Sequence, residues 1–384
     1  DIQAQAILDM RLQRLTNLEI VSLRKEYEEI KKLIDRLLGI LGSEKKLLNV
    51  IKQELLEIRS RYADARRTVL IEKPEEAPVF EDEKPVAEET VVLVTRAGFV
   101  KRLTPKAWEK AQTEDVEKPR MLVRTKTDER ILFFSGIGQC YPVPVSQVPE
   151  VRPKDRGLAL TGLLAGYDAK EKLVTAFALP DDGYAGDLIF VTRGGLVKRS
   201  ALSEYAVRKA RFTSLNLKSG DELIFVERAN GEAQMLLFTE RAMSILFDAS
   251  EIPSTGRASA GVKGVTLSPD DRTAFAFLIV SAGGLALLVS DRGYMKRCLL
   301  VDFDPQARGG KGVKCFMFLK NGANGEKIAG ALMVKEPFDF VATQRKGLAT
   351  KLNTEWIKIE LKAGKGQPLV MAMMDDLVED VSPV

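Results

Sequence analysis

Residues 188–199 read LIFVTRGGLVKR. Four apolar residues, a threonine, two further residues and a glycine precede a second short apolar run that closes on Lys-Arg. Two β-rich runs flanking a glycine turn predict a hairpin whose turn residue, Gly195, adopts positive φ. Variants of the unit stand at 91–102 (VVLVTRAGFVKR), 131–143 (ILFFSGIGQCYPV), 235–247 (MLLFTERAMSILF), 285–297 (LALLVSDRGYMKR) and 340–351 (FVATQRKGLATK). The aligned turn positions are Gly98, Gly138, Gly195, Ala242, Gly293 and Gly347, so the mean period is close to 50 residues. Alanine resists positive φ, so the fourth unit is expected to use a different turn.

Six β-hairpin units at this spacing predict a propeller-like ring with one four-stranded blade per repeat, each blade burying its faces against its neighbours. WD40 and kelch repeats fit poorly, since the chain has only Trp108 and Trp356 and no Trp-Asp signature.

Upstream the periodicity changes. Ile20, Leu23, Tyr27, Ile30, Ile34, Leu37 and Leu41, then Leu48, Ile51, Leu55, Ile58 and Tyr62, keep a 3-4 spacing that only Glu44 interrupts. This is a coiled-coil pattern, with a break and restart at Gly42-Ser43 and Ser43 as the expected N-cap. Residues 73–90, KPEEAPVFEDEKPVAEET, hold three prolines and seven carboxylates and read as an acidic linker. The expected organisation is a helical segment and arm at 1–72, a linker at 73–90, a six-bladed domain at 91–374 and a short acidic tail at 375–384. The chain opens on Asp1 within an amphipathic pattern, which predicts a piece of a longer protein.

Composition removes several chemistries. The 384 residues include no histidine, which excludes His general bases and imidazole metal sites. The cysteines, Cys140, Cys298 and Cys315, form no C-x-x-C pair, which argues against a zinc site and for a reducing, cytoplasmic setting. No apolar run approaches a membrane span. The net charge of +4 is unevenly shared: residues 1–85 carry −1 and residues 86–384 carry +5.

The cations recur with the repeat. Lys101-Arg102, Lys198-Arg199 and Lys296-Arg297 close the odd-numbered hairpins. Basic loops follow several hairpins, at 152–157, 207–211, 256–264, 306–312 and 362–366. Equivalent positions in a ring share a radius, so these side chains are expected to form a basic band suited to a bent polyanion. In QARGGKG (306–312), Gln306 and Gly309, Gly310 and Gly312 allow close approach to a phosphate while Arg308 and Lys311 supply charge. The spacing is not that of a nucleotide P-loop. Arg156, Arg211, Arg257 and Lys263 complete the expected DNA contacts. The competing expectation is a propeller scaffold that binds protein.

Three stretches carry a family resemblance. QARGGKG is similar to the Q-R-R-G-G-K-G box of the A subunit of bacterial DNA gyrase, a type IIA topoisomerase whose relative is topoisomerase IV. AQAILDMRLQRLT (4–16) resembles the exit-gate segment of that subunit, and the heptads from Tyr27 to Glu57 resemble its returning coiled-coil arm. The six repeats resemble its C-terminal β-pinwheel. The resemblance implies an α plus all-β architecture, a long coiled-coil arm with exit-gate segment followed by a six-bladed β-pinwheel. It implies a DNA-wrapping and dimer-gate portion of an isomerase that changes DNA topology by ATP-dependent double-strand passage. It implies a homodimer through the exit gate and an A2B2 complex whose B subunit holds ATP and Mg²⁺, so that no cofactor is expected here. None of the seven tyrosines lies in the family's context for the cleavage tyrosine, so no catalytic residue is assigned and the chain alone is expected to be inactive. One departure stands out: the family box usually lies in the first blade, where this chain has the acidic AQTEDVEKPRML (111–122). The near-box follows the fifth hairpin, with Ala307 in place of an arginine.

Overall fold

The computed structural model describes residues 2–8, 17–64, 87–113, 119–179, 185–229, 231–281, 283–373 and 375–384. Residues 9–16 of the exit-gate-like segment and most of the acidic linker lie outside these. The chain divides into two compact units, Asp1–Val79 and Phe80–Val384.

The first unit is helical: α1, Ile2–Leu8; α2, Asn17–Leu41; and α3, Glu44–Tyr62. The heptad residues from Ile20 to Tyr62 are exposed, Leu23 at 66% and Tyr62 at 77%. Ser43 occupies the N-cap position of α3, but its hydroxyl makes no capping hydrogen bond. Its carbonyl instead accepts from Lys46 and Leu47. No helix among the described residues is long and apolar enough to cross a membrane.

The second unit is a six-bladed pinwheel, and its topology explains the repeat. Each of blades 1 to 5 is a four-stranded antiparallel sheet. The third strand in the blade lies on one side of the hairpin and a two-residue fourth strand on the other. Blade 3 is Leu223–Ala229, Asp187–Thr192, Leu196–Ala201 and Val262–Lys263. Its fourth strand arises after the hairpin of blade 4, Gln234–Thr239 and Met243–Asp248, so each blade is closed by the loop of the next one. Leu158–Ala159, Phe212–Thr213, Val313–Lys314 and Gln367–Pro368 close blades 1, 2, 4 and 5 in the same way.

The recurrent spacing within the unit has a hydrogen-bond origin. The Gly195 N–H donates to the Thr192 carbonyl at 3.0 Å. The Leu196 N–H donates to the Thr192 hydroxyl at 3.2 Å. Thr95, Thr239 and Ser290 repeat this cap at 3.0–3.1 Å. The expectation of a different turn at Ala242 is incorrect: its φ is 63° and the turn matches the others. A left-handed alanine costs about 1–2 kcal/mol, and burial of its methyl group in the core between blades 4 and 5 offsets part of that.

Five apolar cores join successive blades. Val92 and Val94 meet Ile131 and Phe133 between blades 1 and 2. At the other end Leu287 and Val289 meet Phe340 and Ala342 between blades 5 and 6. First strands that read as continuous apolar runs, such as LIFV, therefore bury both faces. No such core joins blade 6 to blade 1 among the described residues. Instead α4, Pro105–Thr113, lays Trp108 and Ala111 over Val91, Leu93 and Leu103 of blade 1. The sixth hairpin strand alternates, with Phe340, Ala342 and Gln344 buried and Asp339, Val341 and Thr343 half-exposed. Apolar packing thus runs without a break from blade 1 to blade 6, with α4 capping blade 1, and among the described residues it does not continue from blade 6 back to blade 1. The ends meet through Arg96, which pairs with Asp380 at 3.1 Å and bonds Ser382. The expected acidic tail is also corrected: Val378–Pro383 is the third strand of blade 6, paired with Asp339–Gln344.

Candidate nucleic-acid interface

The hairpin Lys-Arg pairs split in two. Lys101, Lys198 and Lys296 are 6%, 1% and 0% exposed. Each ammonium reaches under a loop arriving from the next blade. Lys101 donates to the carbonyls of Pro153 and Asp155 at 2.5 and 2.8 Å. Lys296 donates to Leu361 and Lys362 at 2.9 and 2.5 Å. Lys198 bonds Ser214 at 2.8 Å and also Arg257. Lys198 and Lys296 further lie 5.2 Å from the ring centres of Phe190 and Phe316. Burial, reinforced by the Arg257 charge, lowers the Lys198 pKa to about 7; burial also lowers that of Lys296. These three lysines are corrected from phosphate contacts to internal clamps, because their donors are spent on loop carbonyls out of solvent.

Their arginine neighbours lie nearer the surface but are engaged. Arg102 is 3.6 Å from Glu150 and Arg199 is 3.4 Å from Asp187. Arg297 donates to the Ile357 carbonyl at 2.7 Å.

The near-box loop is also an internal joint. Gln306 N–H donates to Leu246 at 2.7 Å, and Gly309 N–H to Gly264 at 2.9 Å. Arg308 donates its N–H to the Glu251 carboxylate at 2.8 Å and its guanidinium to the carbonyls of Glu251 and Lys263 at 3.1 and 2.6 Å. Gly310 N–H turns back to Ala307 at 3.4 Å. The glycines therefore do not present a free row of N–H groups. Gly312 is a steric necessity: at φ +74° an added Cβ would lie 2.3 Å from the Ser244 carbonyl oxygen.

What remains free for a ligand is the exposed edge. Arg156, Arg211, Lys263 and Lys311 are exposed, and Arg257 is half-exposed. Arg156 and Arg257 each stack 4.7 Å from a phenylalanine ring centre, Phe99 and Phe212, and Arg211 lies 5.6 Å from that of Tyr141. Arg211 also donates to Gly166 at 2.8 Å. All five sit on segments that supply fourth strands, the outer edges of blades 1 to 4. Lys314, exposed beside Lys311, was missed; the Val-Lys dipeptide shared by 262–263 and 313–314 was the available signal.

The family model for the DNA gyrase C-terminal domain, beta-propeller, matches residues 89–104, 129–180, 186–230, 233–279 and 285–335. The A subunit of DNA topoisomerase 4 from Bacillus subtilis (strain 168) is 31% identical over 371 residues, 95% of this chain and 46% of that protein. The A subunit of DNA gyrase from Deinococcus deserti is 30% identical over 401 residues, all of this chain and 49% of that protein. The chain thus spans about half the length of these curated relatives. The solved C-terminal domain of DNA topoisomerase IV superposes with a TM-score of 0.72 at 25% identity, covering 78% of this chain and 94% of that one. The DNA gyrase A C-terminal domain superposes at 0.58 with 19% identity, covering 77% and 99%. Since the matched stretches make up more than half of its residues, the chain belongs to the DNA gyrase C-terminal domain, beta-propeller, family.

Proposed function

We propose that the pinwheel binds and bends duplex DNA along the outer edge of its blades, as the wrapping portion of the A subunit of a bacterial type IIA topoisomerase. The observation that carries this reading is the succession of exposed cations, at least one on each fourth-strand segment of blades 1 to 4. Spaced along a curved edge, they would neutralise phosphates at intervals with little regard to sequence. Stacking on Phe99 and Phe212 holds the Arg156 and Arg257 guanidinium planes, and among the described residues no carboxylate pairs with either to compete with DNA.

In this reading the helical arm pairs its exposed heptads as a coiled coil and ends at a homodimeric exit gate. The B subunit completes an A2B2 isomerase and brings ATP and Mg²⁺. The complex works on the chromosome in the cytoplasm, and strand cleavage is expected from a tyrosine outside this chain. Gyrase and topoisomerase IV relatives match alike, and either fits.

The test is a salt titration of binding to a short duplex. Each phosphate contact contributes about 0.9 to the slope of log K against log salt. Lys311→Ala with Lys314→Ala should therefore flatten the slope by up to about two units. An unchanged slope would remove these lysines from the interface and with them the outer-edge track.

A further inference from the structure

The internal clamp Lys198 and the edge cation Arg257 share one layer of aromatic rings. Phe190 and Tyr205 stack with their centres 5.7 Å apart, and Tyr205 and Phe212 lie 6.2 Å apart. The Lys198 ammonium is 5.2 Å from the Phe190 centre at one end of the layer, and the Arg257 guanidinium is 4.7 Å from that of Phe212 at the other. Lys198 donates to the carbonyl of Arg257 itself. It also donates to the Ser214 carbonyl at 2.8 Å, which the Tyr205 hydroxyl engages at 3.1 Å. The loop that carries Arg257 is thus fastened from within by a second positive charge.

Little around the pair balances it. Among the described residues Arg257 forms no ion pair, and its Nε is buried without a hydrogen-bond partner. Glu204, exposed on the turn Leu202–Tyr205, is the one carboxylate among the described residues that acts on Lys198. Cys140 and Tyr205, from the facing strand and the same turn, are kept neutral by burial, which raises both pKa values. The equivalent clamp in blade 5 is arranged differently. Lys362 stands at the place of Arg257 but pairs with Asp304 at 3.0 Å, and Glu360 rather than a cation acts on Lys296.

We propose that Lys198 is a positioning residue for Arg257 in the DNA track and that the two are coupled through charge. A backbone phosphate arriving at the guanidinium relieves its repulsion of the buried ammonium, so binding DNA draws a proton from solvent onto Lys198. This rests on the outer-edge reading and adds a pH dependence to it.

The window follows from the pair. Burial, and then the Arg257 charge, bring the Lys198 pKa to about 7 in the free chain. A phosphate that neutralises Arg257 raises it. Below about pH 7 the lysine is protonated in both states and the affinity is constant. Above that the free chain has released a proton that the complex keeps. Affinity therefore falls as pH rises, by about tenfold for each unit that the pKa climbs on binding. With no histidine and three buried cysteines, the chain has few other groups that titrate between about pH 6.5 and 9.

The experiment is an anisotropy titration of a labelled duplex with the whole chain at fixed ionic strength, from about pH 6.5 to 9. The native chain should weaken with rising pH, and Lys198→Met and Arg257→Ala should each lose that dependence. At low pH the loss from Lys198→Met should shrink when Arg257 is already alanine, since the lysine acts through the arginine. Calorimetry of the native chain in Tris and in HEPES needs no variant and should show uptake of up to about one proton per duplex bound near pH 7.5. Zero uptake, a pH dependence that survives either substitution, or additive losses would overturn the coupling. If salt-dependent binding and its flattening in Lys311→Ala with Lys314→Ala persist meanwhile, the outer-edge track stands without it. Absence of DNA binding at every pH would overturn both.

Discussion

At the scale of single residues, the same side-chain type does opposite work within one motif. In Lys198-Arg199 the lysine turns inward to two loop carbonyls while the arginine turns outward to Asp187. Strand alternation places neighbours on opposite faces, so adjacent cations cannot share a role. The inward position makes Lys198 a measurable pH element. Its pKa is about 7 in the folded chain against 10.5 for an ordinary lysine. Between those values the unfolded chain holds a proton that the folded chain has released, so stability rises with pH across that window. Below about pH 7 both states are protonated and the contribution is constant. Lys198→Met removes this slope. Thermal unfolding at pH 7, 8 and 9 should show the native chain gaining stability relative to the variant; parallel curves would mean that the lysine is charged throughout.

At the scale of elements, the hairpin was legible in the sequence and the fourth strand was not. Thr192 and Gly195 mark the turn through local hydrogen bonds, and a local signal survives in a single sequence. The fourth strands are two residues long and pair with a sheet from the preceding repeat, so periodicity cannot reveal them. For that reason the glycine-rich loops resembled anion nests when they are joints. Their glycines permit close packing of one loop on the neighbouring hairpin. Gly312→Ala places a Cβ against the Ser244 carbonyl at positive φ and should destabilise by at least about 2 kcal/mol in denaturant unfolding. Gly220→Ala is the control, with similar φ but open space around it, and should cost only about 1 kcal/mol. Equal losses at both sites would show that backbone strain, rather than packing, sets the cost.

At the scale of the whole molecule, the cation band survives the loss of its inner members because the free charges lie on the strands each loop lends to its neighbour. The charged edge is thereby tied to the order of the blades. A closed circle and a capped row predict different energetics at the junction of blades 6 and 1. In a closed circle that junction would be one of six equivalent cores, and disrupting it would cost as much as elsewhere. Among the described residues it is the Arg96 contact with Asp380 and Ser382, about half exposed, and pairs of this kind contribute only about 0–1 kcal/mol. Arg96→Ala should accordingly leave the unfolding midpoint nearly unchanged, while Trp108→Ala in α4 uncaps blade 1 and should cost about 3–5 kcal/mol. The comparison is made by denaturant unfolding of both variants beside the native chain. A large loss from Arg96→Ala with little from Trp108→Ala would restore the closed circle, with the polar junction as its sixth joint.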